Sequence, residues 1–181
     1  ERAADFKLQN AGWTWNVDFA DVNNDEFQDV YVATGFFQFH KRDNNVFFMN
    51  RGGKRFDQVT EESGLTDYLS TSAFSHVDFD RDGDVDIMSL PVTMASVRLF
   101  ENQGTKGNSI TIQLRDFVMN RFAIGAKIII RYGDGKNQMR EIKASGGFVS
   151  FNPLEAHFGL GENEEVKEIE IRWPGRATTK L

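Results

Sequence analysis

Two stretches decide the fold: WNVDFADVNNDEFQDVYVATG (residues 15–35) and FSHVDFDRDGDVDIMSL (residues 74–90). Laid over one another at a spacing of 57 residues, they place Asp21, Asn23, Asp25 and Asp29 on Asp78, Asp80, Asp82 and Asp86. Each stretch sets a carboxylate or carboxamide at relative positions one, three, five and nine, between strand-like residues. Oxygens at alternate positions of a tight loop converge on one point. That arrangement suits calcium, a hard cation that takes about 6 to 8 oxygens at roughly 2.3 to 2.6 Å, with a backbone carbonyl from position seven completing the shell. The expected ligands are therefore Asp21, Asn23, Asp25, Phe27 through its carbonyl, and Asp29 in the first loop, and Asp78, Asp80, Asp82, Asp84 and Asp86 in the second. An EF-hand is excluded, because it needs a glutamate at position twelve where this chain has Val32 and Ser89. Gly83 stands at the sharp-turn position of the second loop; Glu26 stands there in the first, and a positive φ at that residue costs roughly 1 to 2 kcal/mol. Magnesium fits an all-protein cage poorly, and zinc would want histidine or cysteine.

Outward from the loops, VFFMNRGG and VRLFENQG place Asn50 on Asn102 at a spacing of 52, so the connection between is five residues shorter in the second copy. A repeat of several strands around one fixed loop predicts a propeller blade rather than a solenoid coil. Beyond TKGN near Gly104–Asn108 the repeat stops. Ile110, Ile112 and Leu114 then alternate with polar neighbours, as do Ile169, Ile171 and Trp173, predicting half-buried strands with Trp173 in the core. Lys127–Tyr132 and Gln138–Ala144 flank Gly133-Asp134-Gly135-Lys136, predicting a hairpin. The expected architecture is all-β: two propeller-blade-like repeats over 1–103, a partial β-propeller, followed by a small β-sandwich-like domain over 104–181. Two blades cannot close a wheel of 4 to 8. The chain therefore reads as the C-terminal part of a larger protein, or as one whose open sheet edges are covered by the appended domain or by self-association.

Composition narrows the chemistry. With no cysteine among 181 residues, thiolate metal sites and a cysteine nucleophile are excluded, leaving oxygen ligands and three histidines. A net charge of −6 disfavours a nucleic-acid partner, which wants a basic face. No apolar run of about 18 residues is present, so a spanning helix is ruled out and no membrane insertion is expected. The first residue is Glu1, consistent with an excised or processed chain.

At these residues the chain resembles the FG-GAP/VCBS repeat family, whose pattern D-x-N-x-D-G-x-x-D appears as DVNNDEFQD and, with aspartate for asparagine, as DRDGDVD; NRGGKRFDQVTEESGL resembles the end of the same repeat. From about residue 104 the resemblance passes to the ASPIC/UnbV C-terminal domain, carried by NRFAIGAKI, by Gln138, Arg140 and Glu141, and by GGFVS, HFGLG and RWPG. The resemblance implies secreted, periplasmic or cell-surface proteins with a calcium-binding β-propeller followed by a β-rich module, and no established catalytic residue. The chain departs from it at Glu26, where the repeat has glycine, and at FVSFN, where the terminal pattern reads Ser-Gln after the aromatic, so that only Ser150 matches.

The functional expectation is a calcium-binding extracellular binding or adhesion module that meets a protein or glycan. Its candidate contact surface is TGFFQFHKRDNN, the lengthened segment of the first copy, where Phe36, Phe37, Phe39 and His40 adjoin Lys41 and Arg42. The alternatives are a metal-dependent hydrolase or lyase acting on extracellular polysaccharide, with Asp84 or His157 as acid or base, and a purely structural cap that closes a repeat array. His76 and His157 lie in strand-like runs and read as buried histidines bonded to their surroundings. The glycines of HFGLG read as a tight structural corner, and Trp13 and Trp15 as aromatics that could stack on a sugar.

Overall fold

The computed structural model describes residues 2–9, 11–35, 44–92, 96–104 and 107–181. Within them the chain forms thirteen strands and no helix, every pairing is antiparallel, and no sheet closes into a barrel. Strands β1 (Thr14–Ala20), β2 (Asp29–Thr34), β3 (Val46–Asn50) and β4 (Phe56–Gln58) make a four-stranded meander in sequence order. Strands β5 (Thr71–Val77), β6 (Asp86–Pro91) and β7 (Arg98–Phe100) make a three-stranded meander that repeats β1 to β3. The aspartate stretches are the β1–β2 and β5–β6 connectors. Strand β8 (Asn108–Ile112) pairs with β11 (Ala156–Gly161), while β9 (Lys127–Tyr132), β10 (Lys136–Glu141), β12 (Val166–Arg172) and β13 (Thr178–Lys180) form a sheet in the order β10-β9-β12-β13. No strand before residue 101 pairs with one after residue 107.

Burial follows side-chain chemistry. Strand β2 is apolar on both faces and buried throughout, as expected of a strand covered on both sides. Val30 and Val32 join Val46, Phe48 and Phe56 under a lid of Phe6, Leu8 and Ala11. Tyr31 and Ala33 join Phe47, Leu65, Phe74 and Ile87, which binds the two meanders together; the Tyr31 and Phe74 rings meet edge to face at 4.8 Å. The outer face of the second meander is uncovered, with Met88, Leu90 and Leu99 each more than two-fifths exposed. In the C-terminal module, Ile128, Ile130 and Ile171 from one sheet pack with Phe158 and Leu160 from the other, giving a sandwich-like core. Trp173 lies partly buried against that core, and its indole N–H donates to Thr179 Oγ1 at 2.9 Å. The second strand of the expected hairpin starts earlier than the apolar pattern implied, because Lys136 already pairs with Tyr132.

The contacts that seat the C-terminal module on the meanders are largely polar. Asn16 and Asp18 lie on one side of β1 and bond to Ser150 and Asn152, while Val17 and Phe19 on the other side stay exposed. Ser109 Oγ donates to the Gly83 carbonyl at 2.7 Å, and Arg81 pairs with Glu155 at 3.0 Å. The backbone also comes close at HFGLG: a Cβ on Gly159 would stand 2.0 Å from Asp21 Oδ2, so only glycine admits this register. Glu26, in the first connector, pairs with Lys136 Nζ at 2.6 Å and accepts from Tyr132 and Asn163. It does so at φ 82°, a left-handed conformation costly for any side chain with a Cβ.

His157 is held at the same junction. Its Nε2 lies 2.7 Å from Asn24 Oδ1, which can only accept, and its Nδ1 lies 3.1 Å from the Thr111 hydroxyl. The ring is therefore the neutral tautomer protonated on Nε2. Burial, together with nearby Arg140, pushes its pKa down to about 4 from 6.5. The folded chain thus binds fewer protons at His157 than the unfolded chain between about pH 4 and 6.5, so this contribution is complete above pH 6.5 and is lost as pH falls toward 4. His157→Gln, whose amide can make both bonds without titrating, is expected to escape that loss. Between pH 7 and pH 4 the wild-type melting temperature should fall further than the variant's by about 5–10 °C, equivalent to about 2–3 kcal/mol. A second comparison isolates the strain at Glu26: Glu26→Ala loses the contacts and keeps the strain, whereas Glu26→Gly loses both. Chemical denaturation should place the glycine variant about 1–2 kcal/mol above the alanine variant.

Candidate metal centre

The two connectors share one framework of hydrogen bonds. Asp29 and Asp86, at position nine, are buried, and each accepts two backbone N–H groups. Asp29 accepts from Val22 at 3.1 Å and Asn50 at 2.8 Å; Asp86 accepts from Phe79 at 3.0 Å and Asn102 at 2.7 Å. The Asn50 side chain then donates to the Gln28 carbonyl, and the Asn102 side chain to the equivalent Val85 carbonyl. Both spacings read from the sequence, 57 across the loops and 52 at the asparagines, thus belong to one repeated lock between the connector and the chain at or just beyond the end of its meander's third strand. At position one, Asp21 Oδ2 accepts from Glu26 N at 2.8 Å and Asp78 Oδ2 accepts from Gly83 N at 3.1 Å. The turn residue has positive φ in both copies, 82° at Glu26 and 95° at Gly83, as the missing glycine foretold.

The copies differ in what is left over. In the first, Asp21 Oδ1 is taken by Asp25 N at 3.0 Å, and Asn23 and Asp25 bond to one another. In the second, Asp78 Oδ1 is buried with no hydrogen-bond partner. Carboxylate oxygens of Asp78, Asp80 and Asp86 all lie within 4.8 Å of one another; no other group of three acidic or histidine side chains among the described residues does so. Three grouped carboxylates, one of them with a buried oxygen that has no hydrogen-bond partner, fit a hard dication. Asp82 accepts from Asp84 N at 2.9 Å. The Asp84 carboxylate accepts from Asn24 across the junction at 2.9 Å. Phe27, at position seven of the first copy, is two-fifths exposed.

Burial makes negative charge costly in both connectors. Burial, reinforced by Asp25, pushes Asp21 up to about 7, and burial likewise pushes Asp29 up to about 7. Asp86 is raised by burial and by the neighbouring Asp80 and Asp82.

The remaining candidates fall in three places. His157 spends both ring nitrogens on Asn24 and Thr111. His76 lies in β5 with Nδ1 3.4 Å from Asp18 Oδ2, and burial lowers its pKa. Trp13, Trp15 and Phe148 form an aromatic group, with ring centroids 6.5 Å and 5.4 Å apart for the successive pairs. Trp15 Nε1 donates to the Gly35 carbonyl, where the lengthened segment departs. Phe36, Phe37, Phe39, His40, Lys41 and Arg42 lie outside the described residues. Sequence reading passed over Asn24, which is 1% exposed at φ 57° and contacts the second connector through Gly83 and Asp84 and the C-terminal module through His157 and Gly161. Its only signal was an asparagine in a turn, a residue type that tolerates the left-handed region.

Residues 118–181 match the ASPIC and UnbV family. Over 171 residues the chain is 28% identical to cartilage acidic protein 1 of Mus musculus and, equally, to that of Homo sapiens, covering 86% of this chain and 24% of each relative. The Xenopus tropicalis protein of the same name is 34% identical over 100 residues, 54% of this chain and 15% of the relative. The chain thus spans about a quarter of the length of these relatives, and its C-terminal module is of the ASPIC and UnbV type.

Proposed function

We propose that the chain is a calcium-stabilised binding module of extracellular type, part of a secreted, periplasmic or cell-surface protein, in which FG-GAP/VCBS-like blades are locked by cations and surface aromatics meet a protein or glycan. The observation that carries the reading is the grouping of carboxylate oxygens of Asp78, Asp80 and Asp86 within 4.8 Å of one another, in a loop whose Asp78 Oδ1 is buried with no hydrogen-bond partner. Asp82 and the Asp84 carbonyl would complete the oxygen shell, and the first connector would bind more weakly because the N–H of Asp25 already occupies the equivalent oxygen. Similarity to cartilage acidic protein 1 supports an extracellular setting, where calcium is abundant enough for weak sites to fill.

Recognition is favoured over turnover because His157, the best-placed acid or base in the sequence, is committed to the junction by both nitrogens. The contact surface is the aromatic group of Trp13, about half exposed, Trp15 and Phe148; flat rings on a sheet rim suit the apolar face of a sugar or a protein anchor.

Calcium titration tests the reading. With a dissociation constant of about 10⁻⁴ M and about 1 mM calcium, the fold gains roughly 1.4 kcal/mol, a rise in melting temperature of about 3–5 °C over excess chelator. Asp80→Ala should remove most of that rise and the stronger calorimetric signal. Asp84→Asn should keep both, since its amide oxygen can still accept from Asn24. A melt indifferent to chelator would overturn the assignment.

A further inference from the structure

The segment between β8 and β9 presents three consecutive apolar side chains to solvent: Phe117 is 96% exposed, Val118 75% and Met119 87%. Single exposed apolar residues are ordinary, but three in a row at the apex of one loop are not. The loop is also braced. Its neck is closed by Asp116 N donating to the Arg121 carbonyl at 3.2 Å. The Asp116 carboxylate accepts from Val118 N at 2.9 Å and pairs with Arg176 at 3.0 Å. Asn120 exchanges two hydrogen bonds with the Ile124 backbone, at 2.7 and 3.1 Å. The apex therefore stands on a hydrogen-bonded stem, while its three side chains find no intramolecular cover.

Charge around the stem runs against that of the chain. The guanidinium groups of Arg115 and Arg121 lie 5.3 and 5.9 Å from the centre of the same Phe122 ring, one on each flank of the apex, and Arg176 stands beside Asp116. Three arginines against one aspartate leave a local excess of positive charge on a protein whose net charge is −6. A convex apolar tip needs either a matching pocket or a fluid apolar phase, and a collar of arginines at its base lies where lipid phosphates would be.

We propose that the Phe117–Met119 tip inserts into the surface of an anionic phospholipid bilayer, with Arg115 and Arg121 engaging the headgroups. This is a peripheral contact and needs no spanning helix; among the described residues no helix is long and apolar enough to cross a membrane. The contact uses the geometry of a shallow interfacial anchor, in which apolar burial and headgroup attraction add.

The chain has no cysteine, so Val118→Cys offers a single attachment point for an environment-sensitive dye. On vesicles of phosphatidylcholine mixed with phosphatidylglycerol, the dye emission should shift blue and the protein should float with the vesicles; on pure phosphatidylcholine, association should be much weaker. Replacing both Arg115 and Arg121 by Gln should weaken binding about 25-fold, about five-fold per arginine. Phe117→Ser with Met119→Ser should abolish insertion yet melt like wild type, because the tip buries nothing in the fold. The proposal is overturned if the wild type ignores anionic vesicles, binds both vesicle types equally, or binds undiminished without Phe117 and Met119. It is equally overturned if these side chains instead hold a concentration-dependent dimer that the serine variant loses.

Discussion

The arrangement depends on a buried carboxylate that must find partners for both of its oxygens. At Asp29 and again at Asp86, one oxygen receives the N–H that follows the first aspartate of the connector and the other receives the N–H of an asparagine at or just beyond the end of the third strand. One side chain thereby fixes the start of the loop, its end and its distance from the neighbouring strand. An unmade bond at such a site would cost about 1–3 kcal/mol, more for a charged group, so the connector has little freedom once the meander forms. The remaining aspartates are then presented in a geometry set by the backbone rather than by their mutual repulsion.

From that common frame the two connectors have diverged. The first turns inward. Its position-one carboxylate is saturated by backbone N–H groups and faces Gly159, its Asn24 reaches the second connector and His157, and its Glu26 holds Lys136 of the C-terminal module. The second keeps the glycine turn and leaves Asp78 Oδ1 without a donor. A residue of the wrong conformational type at Glu26 is thus explained by what its side chain reaches. An exposed ion pair alone is worth up to about 1 kcal/mol, so Lys136 needs the help of Tyr132 and Asn163 to offset a left-handed glutamate.

Much of this was legible beforehand, and the boundary of what was legible has a physical cause. Period-two alternation identified the strands around Ile110, Ile112, Ile169 and Ile171, and the paired spacings of 57 and 52 identified the repeated meander, because both are local properties of the chain. The strained turn at Glu26 followed from its alignment with Gly83. The inward role of Asn24, the diversion of the Asp84 carboxylate and the approach of Gly159 to Asp21 could not be read, since each depends on residues roughly 60 to 140 positions away whose arrangement no periodicity encodes. HFGLG, expected as a tight corner, is instead part of strand β11, and its glycines sit at the register shift where that strand meets the first connector.

The juxtaposition of HFGLG with the aspartate connectors alters what the C-terminal module is for. A domain merely strung after a repeat would face it with whatever surface its own core left over. Here the module brings a neutral histidine, a glycine backbone and two hydrogen-bonding side chains, Ser109 and Asn163, to the loops where the blades concentrate their negative charge. Arg140, itself destabilised as a cation by burial, contributes positive potential toward Asp21 without forming an ion pair. The module's polar and cationic groups thus meet the connectors where their carboxylates are buried. If a ligand at the connectors binds the seated and unseated module with different affinity, linkage makes the effect reciprocal: seating would alter the affinity for that ligand by the same factor.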